Sequence, residues 1–139
     1  MTMLKQKSPL LRYEGLLYAL LRVVAGAMFA CHGMQSILGW FTTAPRPRIG
    51  SQSWVGGIIE LCAGVLITLG LFTRWAAFVA SGTMAVAFVQ FHWKLALDHW
   101  KWLPIVNRGE LALLYCFVFL FFSARGGGAA SIDRRIGRD

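Results

Sequence analysis

Five ionisable side chains stand inside or at the ends of long apolar runs in this chain: Arg22, His32, Glu60, His92 and Glu110. Ionisable groups within a hydrocarbon layer are costly and point first to function. An imidazole beside a carboxylate can hold and pass protons, because histidine titrates near physiological pH. The amides of Gln35 and Gln90 lie in the same runs. The competing reading is structural: polar side chains also act as hydrogen-bonding glue between membrane helices, and Glu110 can serve simply as a helix cap. Two histidines and two carboxylates are a conceivable zinc or iron set. No Glu-x-x-His pair occurs, however, so the spacing gives a metal no specific support, and none is expected.

The elements that must position these residues follow from composition. Of 139 residues, 57% are hydrophobic and 14% charged, against about 45–50% and about 25% in soluble domains. Mean hydropathy is +0.57. These values exclude disorder, a disulfide scaffold and a two-domain soluble enzyme. Four apolar blocks predict an all-α integral membrane four-helix bundle of antiparallel up-down topology, with spans at about 16–38, 54–72, 75–92 and 107–124 and a tail at 125–139. Asn107 and Glu110 are placed as a capping box opening the last span. The short link around Thr73 and Arg74 makes the second and third spans a hairpin, and residues 93–106 read as an interfacial segment. All six tryptophans lie at block ends or in loops, as membrane–water interfaces favour. The first run is too long for a signal-peptide core.

The net charge of +8 has a topological meaning. Lys5, Lys7, Arg12, Arg74, Arg125, Arg134, Arg135 and Arg138 fall on one side, and Arg46, Arg48, Lys94, Lys101 and Arg108 on the other. The positive-inside rule puts both termini in the cytoplasm. The basic excess is assigned to anionic lipid rather than to nucleic acid.

Helical rise then converts sequence position into depth. His32 sits about 9 Å inside Leu38, and Glu60 about 9 Å below Trp54. His92 closes the third span and Glu110 opens the fourth on the same outer side, with Gln35 and Gln90 in the same slab. These six residues converge on the outer half of the bundle. Arg22 lies about 15 Å from His32, too far to pair with Glu60, and is expected to snorkel or to bind backbone carbonyls. Gly56, Glu60 and Gly64 share one face, and Arg22, Gly26, Phe29 and Gly33 another. Ala77, Ser81, Ala85 and His92 form a seam of small residues on the third helix. Cys31, Cys62 and Cys116 lie in apolar sequence without a C-x-x-C pair, which disfavours thiol–disulfide chemistry. No P-loop, dinucleotide fingerprint or G-x-S-x-G occurs, so no cofactor motif is evident.

Across about residues 16–133 the chain resembles the DoxX family of small bacterial membrane proteins. The resemblance rests on Arg22, Gly26, Phe29 and His32-Gly33 in the first helix, and on Glu60 with Gly64 in the second. It rests further on Asn107-Arg108-Gly109-Glu110-Leu111-Ala112-Leu113-Leu114-Tyr115 opening the fourth, and on Ser131-Ile132-Asp133 after the glycines. Arg108 stands where the family usually has glycine, Gly126-Gly127-Gly128 where Gly-Pro-Gly is usual, and Gln35-Ser36 where lysine is common. By carry-over, Arg22, His32, Glu60 and Glu110 match the family's polar positions.

The resemblance implies a bacterial inner-membrane bundle linked to quinone or thiol-stress redox chemistry. A quinone is then the cofactor class the outer cluster would take. A partner oxidoreductase subunit would supply electrons, and self-association is left open. The alternative is a non-catalytic anchor for such a partner. A transporter is disfavoured, because no pair of broken helices appears.

Overall fold

The computed structural model describes residues 9–138, so Lys5 and Lys7 lie outside the described residues. Every regular element among these residues is helical. A 3₁₀ turn, Pro9–Tyr13, leads into α1, Glu14–Leu38, which ends at Gly39 in the left-handed region (φ 70°). Helix α2, Gln52–Leu69, is capped by Ser51, whose hydroxyl accepts from the Trp54 amide at 3.2 Å. Gly70, also left-handed (φ 68°), turns the chain into α3, Thr73–Ala87. The run continues as a π-helical segment, Phe88–Trp93. A single turn at Pro104–Asn107 precedes α4, Glu110–Arg125, and another at Ile132–Arg135 follows it.

Among the described residues, three stretches are long and apolar enough to cross a membrane: Pro9–Leu38, Gln52–Leu69 and Thr73–Trp93. Helix α4 starts later than the sequence suggests and holds 16 residues. The expected capping box does not form. The Asn107 side chain instead accepts from the Gly109 amide at 2.8 Å and donates to the Lys101 carbonyl, and Arg108 takes a left-handed conformation (φ 59°) that breaks the helix. Residues 94–103 hold a single 3₁₀ turn, Asp98–Trp100, and left-handed backbone at Lys94, Leu95, His99 and Trp100.

The helices pack as two pairs, α1 with α2 and α3 with α4, joined through the α2–α3 hairpin. Small residues allow the first pair its close approach. A Cβ on Gly26 would lie 2.7 Å from the Thr68 backbone nitrogen, and one on Gly33 would run into the Leu61 backbone. Gly64 faces Ala30, and Gly57 faces Ser36. Gly57 rather than Gly56 therefore lies in this interface; Gly56 faces open space. The α3 seam is Ala76, Ala77, Ala80 and Ser81, with Ala85 exposed. The Ser81 hydroxyl donates to the Cys116 carbonyl at 2.8 Å.

Between the two pairs runs a column of aromatic rings. Phe29 meets Phe119 at 4.7 Å between centroids, Tyr115 stacks on Phe119 at 5.2 Å, and Tyr18 meets Phe122 edge-on at 5.5 Å. Outward the molecule is apolar, with Leu20, Val24, Phe78, Leu114 and Phe117 exposed. Such a surface suits lipid rather than water. Cys31 and Cys62 are on it as free thiols.

Candidate functional site

The two ends of the bundle treat their polar residues differently. At the end where the first and last described segments meet, Arg22 on α1 is completely buried. Its guanidinium donates to the Ile67 carbonyl at 2.6 Å and the Thr68 carbonyl at 2.7 Å, both in the last turn of α2, and to Ala130 at 3.0 Å. Those α2 carbonyls carry the negative end of the helix dipole, and the Ile67 carbonyl also accepts from the Gly70 amide at 3.1 Å, so they are natural acceptors for a cation.

Beside Arg22, the Asp133 carboxylate accepts from the amides of Phe72 and Thr73 and from the Thr73 hydroxyl, each at 2.8 Å. It thus caps α3 from sixty residues away. Burial pushes the Asp133 carboxyl up, but the Thr73 and Phe72 hydrogen bonds and the Arg138 charge outweigh it and hold the carboxyl below its ordinary value. The Asp133 amide donates to Gly70, and the Tyr18 hydroxyl to Gly126 at 2.5 Å. Arg22 is therefore a structural tie at this end and does not line the polar cavity at the other.

At the opposite end, His32 from α1, Glu60 from α2, His92 from the π segment and Tyr115 from α4 line one cavity of about 240 Å³, with Arg108 beside its mouth. Phe29, Met84 and Leu111 are among its apolar walls. Antiparallel packing puts His32 and Glu60 at one level, since Gly33 abuts Leu61. No hydrogen bond or ion pair from a described residue reaches the Glu60 carboxylate. The His32 ring stands edge-on to Tyr115 at 6.5 Å between centroids.

His92 is fixed by its backbone. The π turn, closed by Lys94 N–H to the Val89 carbonyl at 2.8 Å, widens the helix. It brings Nδ1 to 3.2 Å from the Asn107 carbonyl. A carbonyl only accepts, so Nδ1 carries the proton. In the neutral ring Nε2 is then left as an acceptor.

Three predicted site residues, His32, Glu60 and His92, are thus brought together. Gln35 is turned away, donating to the Phe41 carbonyl at 3.2 Å. Gln90 is exposed and paired with the Gln52 side chain. Glu110 is exposed at the start of α4 and does not line the cavity. Arg108 and Tyr115 join the site without having been singled out for it. Arg108 immediately precedes Gly109-Glu110, and Tyr115 is the only hydroxyl between Glu110 and Ser123; those were the available signals. Among the described residues, no three His, Cys, Asp or Glu side chains converge as a metal-ligating group.

A second cavity, of about 470 Å³, lies between the N-terminal half of α2 and the C-terminal part of α3. Glu60, Met84 and Ala87 line both cavities.

The DoxX family model matches residues 17–93 of this chain. An uncharacterized protein of Haemophilus influenzae is 38% identical over 131 residues, covering 89% of this chain and 93% of its own length. An uncharacterized membrane protein of Mycobacterium tuberculosis is 26% identical over 132 residues, covering 85% of this chain and 80% of its own length. No solved structure matches.

Proposed function

The chain belongs to the DoxX family of membrane proteins, and on that premise we propose that it is a redox-linked component of the bacterial inner membrane whose outer cavity receives a quinone head group. One observation carries this reading: a carboxylate and two imidazoles line an otherwise largely apolar cavity at one end of the bundle. Predominantly apolar lining with a few convergent polar groups is the usual character of a small-molecule site. About 240 Å³ suits a single ring better than a whole lipid.

In this reading the protonated Glu60 carboxyl donates to one quinone oxygen, and His92 as imidazolium donates through Nε2 to the other; once neutral, Nε2 accepts from the quinol hydroxyl. Two electrons from a partner subunit and two protons passed through these groups convert quinone to quinol. Asn107 acts as a positioning residue, because its carbonyl holds the His92 ring. Both termini face the cytoplasm, in keeping with the greater number of Lys and Arg on that side.

Equilibrium binding of decylubiquinone to the purified protein tests the site. Glu60→Gln and His92→Ala should each weaken binding by about tenfold, the scale of one lost hydrogen bond in an apolar site. Unchanged affinity in both variants removes the assignment.

A second reading, a non-catalytic anchor for an oxidoreductase, is favoured by the exposed Arg134, Arg135 and Arg138 beside the buried Asp133. Replacing the three arginines with alanine leaves the Asp133 carboxylate in place. Under this reading the change abolishes co-purification of the partner.

A further inference from the structure

Apart from Gly15, whose Cβ side meets Ala129, the helical glycines divide into two kinds. Gly26, Gly33, Gly57 and Gly64 are occupied on their Cβ side by a neighbouring helix, which explains them. Gly56 on α2 and Gly82 on α3 meet nothing within 4 Å. A glycine inside a helix weakens it relative to alanine, and at these two positions packing gives no return for that weakness. Both line the 470 Å³ groove between α2 and α3. The groove is largely apolar, opens at the lipid-facing surface beside exposed Val55, Val86 and Phe91, and shares Glu60, Met84 and Ala87 with the polar cavity.

Resting on the quinone reading above, we infer that the ligand is a quinone carrying a flexible apolar chain, and that the α2–α3 groove, kept open by Gly56 and Gly82, is the lateral passage in which that chain lies while the head group passes Glu60 into the smaller polar cavity. The smaller cavity cannot hold both parts, so a chain attached to the ring needs an exit, and the groove adjoining it at Glu60 supplies one. Its walls are mostly apolar, so the chain gains little affinity by moving from lipid to groove. The groove's effect is steric: it decides whether a ring with a chain can enter at all.

The test uses the full chain in nanodiscs and two probes with the same head group: decylubiquinone, and the tailless 2,3-dimethoxy-5-methyl-1,4-benzoquinone. Gly56→Leu and Gly82→Leu are combined to fill the groove; both sites have open space, and leucine is the better helix former. A thermal melt matching wild type verifies that the double variant is folded, and the Gly56→Ala, Gly82→Ala pair provides a milder version. The expected result is a loss of at least about tenfold in affinity for decylubiquinone, a smaller loss in the alanine pair, and tailless affinity within about threefold of wild type. An equal loss for both probes, or no loss for either, overturns the lateral passage and leaves the cavity assignment standing. A wild-type protein that binds neither probe overturns both together.

Discussion

Arg22 and Glu60 are both ionisable groups set into apolar helices, and the bundle handles them in opposite ways. Arg22 is enclosed and committed to three backbone carbonyls from two distant segments. Glu60 is half-buried, borders two cavities, and receives no hydrogen bond from a described residue. A charge taken out of water must be met by oriented dipoles or by an opposite charge. The Arg22 end meets it with its own backbone and is closed. The Glu60 end leaves acceptors and donors facing empty volume, as a site for a guest must.

The largest effect that would sharpen this contrast is expected from Arg22→Met. It removes a cation and leaves buried carbonyls short of donors, at a cost of about 3 kcal/mol or more. The variant should lose most of its folded yield in detergent, or melt far below wild type by fluorescence-detected size exclusion. A near-wild-type melt would mean that this end is not the closed one.

Asp133→Asn comes next, at about 1–2 kcal/mol, since a neutral amide offers a single acceptor in place of a carboxylate cap. The same carboxyl gives a pH signature. Its folded-state pKa is depressed, so its contribution is full above its unfolded value of about 4. It is lost as pH falls from there through the folded value. Wild type should lose thermal stability across that acid window more steeply than Asp133→Asn, and parallel pH profiles would refute the cap.

The smallest change in stability is expected from Glu60→Gln, within about 1 kcal/mol of wild type even as ligand binding falls. A large drop in its melting temperature would instead make Glu60 a helix tie like Arg22.

Depth was legible in the sequence, and rotation was not. Counting 1.5 Å per residue placed His32, Glu60 and His92 at one level, because depth depends only on where a helix starts. The same count placed Gln35, Gln90 and Glu110 in that slab, yet all three lie outside the cavity, because depth does not fix which way a helix face points. Rotation also separates Gly57, packed against Ser36, from its neighbour Gly56, which faces open space. The π turn that orients His92 depends on a hydrogen bond from i+5 to i, a local choice that apolar periodicity does not encode. Asp133 was visible as a motif residue, but its partners, Phe72 and Thr73, are separated from it by about sixty residues of chain.

That separation also bears on biosynthesis. The guanidinium of Arg22 needs Ala130, 108 residues downstream, and α3 needs Asp133 to cap its first amides. During translation the first three helices are made long before either group emerges. The nascent bundle therefore holds an incompletely solvated arginine and an uncapped helix until residues 130–133 are added. Synthesis of residues 130–133 is itself the closing step, and chains halted by successive stop codons should change abruptly in protease resistance between residues 128 and 134.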